Sequence, residues 1–179
     1  MSKKLLSIAG IVVCLVLFVA ANIVGARLFR GARLDLTESH LYTLSKGSRS
    51  IASKIEEPIS LTLYLSEKQA NDIPDIKAYS TRVREFLQEY ANASRGKIKF
   101  QVIDPEPFSE AEDKANTAGL YGAQTGKPGQ ERLYFGLVGV NSTDKQEIIP
   151  FFDSRKEEFL EYDITRLIYL LSNPQKKTI

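Results

Sequence analysis

Residues 132–151 read RLYFGLVGVNSTDKQEIIPF, and this stretch decides the fold. Arg132 to Val140 is a highly apolar run of strand length. Asn141 to Asp144 is a cluster of turn residues, and Gln146 to Phe151 is a second run. The segment therefore predicts two antiparallel strands joined by a tight turn. Pro150 lacks an N–H to give to a ladder, which places the returning strand at a sheet edge. Upstream, Ile59 to Leu65 (ISLTLYL) alternates β-branched and aromatic residues and predicts a strand. Lys97 to Ile103 (KIKFQVI) predicts another, with Ile98, Phe100 and Val102 on one face.

The helices follow from spacing and caps. Asp72 and Pro74 open a long helix whose apolar stripe is Ile76, Tyr79, Val83, Phe86, Leu87 and Tyr90, and Gly96 ends it. Ser109 with Glu112 forms a capping box for a helix ending at Gly119. The final helix carries Leu160, Ile164, Leu167, Ile168 and Leu171 on its buried face, and Asn173–Pro174 stops it. Ser45 caps a short helix bearing Ile51 and Ile55, which Pro58 terminates. The order is β-α-β-α-β-β-α. A helix between two strands favours a right-handed parallel crossover, and the short turn favours a hairpin. The expectation is an α/β domain over residues 58–175 with a thioredoxin-like core and a mixed sheet. Thioredoxin chemistry needs a Cys pair at a helix start. SEKQANDIPDI, after the first strand, holds no Cys, so the reading carries no redox motif.

Composition removes other classes. The chain has 179 residues and is 43% hydrophobic, which excludes disorder. Its one Cys, Cys14, excludes a disulfide framework, and with His40 as the one His, a haem, zinc or iron–sulfur centre is not expected. Neither cofactor nor metal is therefore expected. Lys3, Lys4, Arg27, Arg30 and Arg33 stand in residues 1–33 with no acid. The remaining 19 of the 24 basic residues share residues 34–179 with all 22 acids. The basic excess thus sits beside an apolar run rather than on a nucleic-acid-binding face.

That run, Leu5 to Ala26, is uncharged (LLSIAGIVVCLVLFVAANIVGA). As a helix it would reach roughly 33 Å, the thickness of a bilayer core. It predicts a transmembrane helix over residues 5–28, with residues 1–4 as a cytoplasmic head and Lys3–Lys4 and Arg27–Arg30–Arg33 as anchors. The rival reading is a cleavable signal peptide, although such apolar cores usually run only about 7–15 residues. Ala20–Ala21 leaves a cleavage position open. Residues 29–57 then form a juxtamembrane collar, and residues 176–179 look like the start of a further strand, as in the N-terminal portion of a longer protein.

Few residues invite chemistry. YGAQTGKPG (121–129) departs from the phosphate-loop pattern in spacing, in Pro128 after Lys127, and in leading to a strand rather than a helix. His40, Asp104 and Glu106 are the candidates for a hydrolytic site, and no local pattern pairs them. The acids Glu106, Glu110, Glu112 and Asp113 suit a helix N-terminus. Asn92 and Asn141 each open a glycosylation sequon.

Four blocks carry a resemblance: RLDLTESHLYTLSKGSRSIASKIEEPISLTLYLS (33–66), VIDPEPFSEAEDKANTAGL (102–120), LYFGLVGVNSTDKQEIIPFF (133–152) and EEFLEYDITRLIYLLSNPQKK (157–177). In these the chain resembles the N-terminal region of the Gldg family, auxiliary subunits of gliding-motility-type ABC transporters. The resemblance implies an anchor in the bacterial inner membrane and a domain exposed outside the cytoplasm, in the periplasm. It also implies separate permease and ATPase subunits as partners, and no catalytic residue. The function expected is that of a non-enzymatic, membrane-anchored auxiliary subunit of an ABC transport system that binds a partner or transported substrate. The alternatives are a membrane-anchored envelope hydrolase and a purely structural tether. Leu36, Leu41, Tyr42 and Leu44 are the expected partner contacts. The competing reading, that they cover the domain's own core, stands beside it.

Overall fold

A computed structural model of the chain describes residues 12–20, 22, 43–124 and 132–173. Two compact units make up the chain, Met1–Leu41 and Tyr42–Ile179. In the first unit residues 12–20 are helical. Their large apolar side chains are all exposed, from 47% at Val19 to 69% at Phe18. Among the described residues no helix is long and apolar enough to cross a membrane. The rest of the segment expected over residues 5–28, Asn22 apart, lies outside those residues, as do 1–4, the collar up to Tyr42, and 176–179.

The second unit is a mixed α/β domain. Its elements run α1 (Lys46–Ser53), β1 (Ile59–Leu65), α2 (Glu67–Asp72), α3 (Pro74–Ala93), β2 (Ile98–Ile103), α4 (Glu110–Thr117), β3 (Phe135–Asn141), β4 (Gln146–Ile149), a 3-10 turn (Ser154–Phe159) and α5 (Leu160–Ser172). The four strands form one sheet in the order β2-β1-β3-β4. β1 runs parallel to β2, with Ile59 opposite Ile98. It runs antiparallel to β3, with Leu65 opposite Phe135. β3 and β4 form the antiparallel hairpin expected from the sequence.

Alternation along β1 separates two cores. Ile59, Leu61, Leu63 and Leu65 face the larger, filled by the predicted stripes of α3 (Val83, Phe86, Leu87, Tyr90) and α5 (Leu160, Ile164, Leu167, Ile168, Leu171). Tyr64 points the other way, into a smaller cluster with Ala115, Leu120, Tyr134 and Val138 beneath α4. Half of the expected capping box forms at the start of α4: Ser109 Oγ accepts from the Glu112 amide, while Glu112 Oε2 accepts from Phe108 N, one residue before the cap, and Ser109 N donates to the Glu106 carbonyl. Glu112 Oε1 also accepts from the hydroxyl of Tyr134, which ties α4 to the residue that precedes β3.

Two elements differ from expectation. The chain after β1 does not run straight to the long helix, because α2 intervenes. EKQAND carries no apolar period and buries only Ala70, so periodicity has nothing to detect. Ile73 then takes the extended conformation imposed before Pro74, and α3 starts afresh. β3 also begins at Phe135 rather than Arg132, because Leu133 pairs instead with Ala123 in an isolated bridge.

The hairpin turn is organised by one side chain. Asn141 is 7% exposed. Its Oδ1 accepts from the amides of Thr143 and Lys145 and from the Thr143 hydroxyl, and its Nδ2 donates to the Leu171 carbonyl. With Lys145 Nζ on Leu170 O, this satisfies carbonyls that the end of α5 would otherwise leave open. The amide nitrogen of this sequon is therefore occupied inside the fold.

Gly136 allows the chain to pack backbone to backbone. A Cβ there would lie 2.8 Å from the Pro150 carbonyl oxygen and 2.9 Å from that of Ile149. Replacing a strand glycine by alanine ordinarily stabilises. Here Gly136→Ala should destabilise by about 1–3 kcal/mol, read as a lower urea midpoint at unchanged slope. A neutral or stabilising result would contradict the close approach.

Candidate functional site

β4 runs in the same direction as β1, since both are antiparallel to β3. At the carboxyl end of β4, Pro150 ends the strand and the chain turns towards α5. Phe152 N still donates to Phe135 O at 2.7 Å, which holds the exit against β3. Asp153 then caps the 3-10 turn, its side chain accepting from Arg155 N. This turn, the start of α5, the first half of α3 and the chain after α4 enclose a cavity of about 440 Å³.

One wall is aromatic. Tyr121 is 57% exposed and lies stacked on Phe151, with ring centroids 5.7 Å apart and planes at 19°. Behind them Phe135 meets Tyr79 edge-on at 5.6 Å, and Phe152 meets Tyr79 at 6.4 Å. The other wall is polar. Arg155 grips Asp153 through Nε on Oδ1 at 3.0 Å and Nη2 on Oδ2 at 2.7 Å. Lys156 and Asp163 complete it. The Arg155 side chain, then its backbone amide, hold the Asp153 carboxyl down at about 2. Arg82 of α3 pairs with Glu157 and fastens the turn to the domain.

Tyr79 is the buried member, 4% exposed. Burial, and then the Glu157 carboxylate, push its phenol up to about 12. Arg82 pulls it down, while Asp163 and Asp153 add to the rise. Its hydroxyl therefore keeps its proton at any physiological pH. Aromatic, donor and acceptor groups converge here, which is the composition of a small-molecule site. The described residues hold no cluster of His, Cys, Asp or Glu fit to bind a metal.

Of the residues singled out from sequence, His40, Leu36, Leu41, Tyr42 and residues 125–129 of the Gly loop lie outside the described residues. Leu44 is 6% exposed and belongs to the domain's own core. Next to it, Ser45 N donates to Glu161 Oε1 at 2.8 Å, and Ser48 and Tyr90 meet Thr165 at 2.9 and 2.6 Å. Asp104 accepts from the Glu67 amide at 3.3 Å, and partial burial raises its pKa. Glu106 is exposed, and neither carboxyl lines this cavity or a second one of about 380 Å³ beside Tyr169. Asp153, Arg155, Lys156, Asp163 and Tyr121 escaped sequence reasoning. The available signal was a charged run, Asp153 to Lys156, placed directly after the aromatic pair Phe151–Phe152.

The model of a domain family of unknown function, DUF7088, matches residues 38–140. The chain belongs to this family. The DUF7088 segment supplies β1 to β3 with Tyr79 and Tyr121, whereas the polar wall at 153–163 lies beyond it. An uncharacterized protein of Borreliella burgdorferi is 24% identical over 159 residues, which cover 82% of this chain. The chain spans 28% of that relative's length. No solved structure matches.

The phenols of Tyr79 and Tyr90 are both raised from 10.0 to about 12. Above pH ~10 the unfolded chain loses these protons before the folded one does. The stability they contribute is therefore complete below pH ~10 and is lost as pH rises towards ~12. Urea midpoints measured across this range should fall, and less steeply in Tyr79→Phe. An equal slope in that variant would contradict the burial of the hydroxyl.

Proposed function

We propose that the chain is a membrane-tethered, non-enzymatic binding subunit of an ABC transport system, with its α/β domain held outside the cytoplasm in the periplasm. The observation that carries the tether is the all-round apolar exposure of helical residues 12–20. A helix that is hydrophobic on every side needs either a protein interior or lipid around it. The uncharged run from Leu5 to Ala26 and its basic flanks supply the length and anchors for lipid.

The likeness to Gldg-family auxiliary subunits supports the transport role, with a permease and an ATPase as separate partners. The strand order β2-β1-β3-β4, with β3 alone antiparallel to the others, supports a thioredoxin-like reading of the domain. The binding role rests on the cavity, whose groups suit recognition. Asp153 is already engaged by Arg155.

Two measurements test this reading. The full chain expressed in a bacterium should stay with membranes through alkaline carbonate washing, and a chain lacking residues 1–28 should be released. Affinity purification in mild detergent should retain a permease and an ATPase. Release of the intact chain by carbonate, or repeated purification without either subunit, would defeat the proposal.

A further inference from the structure

We propose that the cavity between Tyr79, Tyr121 and the 153–163 turn binds an uncharged, ring-shaped polyol, such as a neutral hexose unit of a glycan. This deepens the reading of the domain as a binding module and does not depend on the identity of its membrane partners.

Three independent features select that chemistry. The first is the shelf. Tyr121 and Phe151 stack at 5.7 Å and 19°, and Tyr121 stays 57% exposed. A ring that bulky, left open at a cavity mouth, offers a flat apolar face. A pyranose presents a matching face of C–H groups with hydroxyls around its rim.

The second is a phenol hydroxyl committed to no neighbour. Tyr79 is 4% exposed and lines the cavity; no described residue hydrogen-bonds its hydroxyl, and that oxygen is not among the buried atoms left without a partner, so solvent reaches it. Tyr90, similarly buried, bonds both Thr165 Oγ1 and the Glu161 carbonyl. A hydroxyl that solvent reaches and no side chain holds is free to exchange its water for a ligand group. The alcohol of a sugar can both donate to and accept from it.

The third is charge balance. Asp153 and Arg155 neutralise each other in a planar fork. Lys156 and Asp163 line the same cavity, and neither is joined by an ion pair to another described residue. A net anion would gain from Lys156 and lose to Asp163, and a cation the reverse. Neighbouring hydroxyls use carboxylate acceptors and ammonium or guanidinium donors together, with no net charge to oppose either.

The experiment uses the purified full chain in a detergent without a sugar headgroup, because a maltoside would compete. Neutral trisaccharides (maltotriose, cellotriose and chitotriose), a uronic-acid trisaccharide and a zwitterionic dipeptide are titrated by calorimetry and saturation-transfer NMR. At least one neutral sugar should bind, with affinity changing less than about twofold between low and high salt. Tyr121→Ala should weaken it by roughly tenfold, and Tyr79→Phe by about three- to tenfold. Both variants should retain the far-UV spectrum of the parent, since Tyr121 is exposed and the Tyr79 hydroxyl has no partner to lose. Silence across the neutral sugars would overturn the proposal. So would binding that survives Tyr121→Ala, or binding of the dipeptide or uronic acid in preference. Membrane retention and co-purified subunits would be unaffected by any of these results, so failure here is separable from failure of the tether.

Discussion

The domain depends on burying β1 on both faces. A strand at the centre of a sheet must place alternate residues in two environments, because its side-chain period is two. Leu61 and Leu63 are fully buried towards α3 and α5, while Tyr64 is buried towards α4. Fully burying a leucine side chain is worth about 1.5–3 kcal/mol. A one-residue slip against either neighbour would turn this set outward, so the register with β2 and β3 is strongly determined. The helices follow from this need: α3 in the parallel crossover and α5 after the hairpin cover one face of β1, and α4 covers the other.

The cavity is a consequence of how β3 and α5 are joined. Gly136 admits the carbonyls of Ile149 and Pro150 where any Cβ would collide, and so brings the exit of β4 against β3. Gly139 leaves room for Leu167 and Leu171 in the same way. Asn141 then locks the far end of α5 to the hairpin turn through the Leu171 carbonyl. With both ends of α5 fixed, the residues between Pro150 and Leu160 must bridge a set gap. They do so as a 3-10 turn with a non-helical Lys156 (φ −112°). That irregular bridge carries Asp153, Arg155 and Lys156 to the cavity, while α3 supplies Tyr79 from the packed side.

The framework was legible from sequence because its signals are periodic. The stripes of α3 and α5, the alternation in β1 and β2 and the turn at Asn141 each repeat a pattern tied to one kind of backbone. What escaped lacks a period. α2 buries one alanine, and the 3-10 turn buries nothing, so neither leaves an apolar trace. The polar wall escaped for a related reason: its members come from a turn and a helix start, where charged residues are ordinarily solvated. Tyr79 was visible only as a core residue, since a helical stripe cannot distinguish a ring that ends in the core from one whose hydroxyl ends at a cavity. Of the four collar side chains expected at a partner surface, Leu44 joined the core, because it directly precedes the cap of α1.

That placement also connects α1 with the cavity. α1 is joined to α5 by Glu161 on the Ser45 amide and by the Ser48–Thr165 pair, with the Tyr90 hydroxyl on Thr165 adding α3. Ser45 is thus bonded to the same helix that begins beside the cavity, with Leu160 and Asp163 on its wall. A ligand that draws on Asp163 acts on the first turns of α5, two residues from the Glu161 carboxylate that holds the start of α1. Coupling needs differential contacts in two states rather than proximity. These side-chain hydrogen bonds are each worth only about 0.5–1.5 kcal/mol, whereas the leucine core behind them is far costlier to rearrange. Any motion passed from the cavity to α1 would therefore run through the polar seam of α1 and α5, with the sheet acting as the fixed frame.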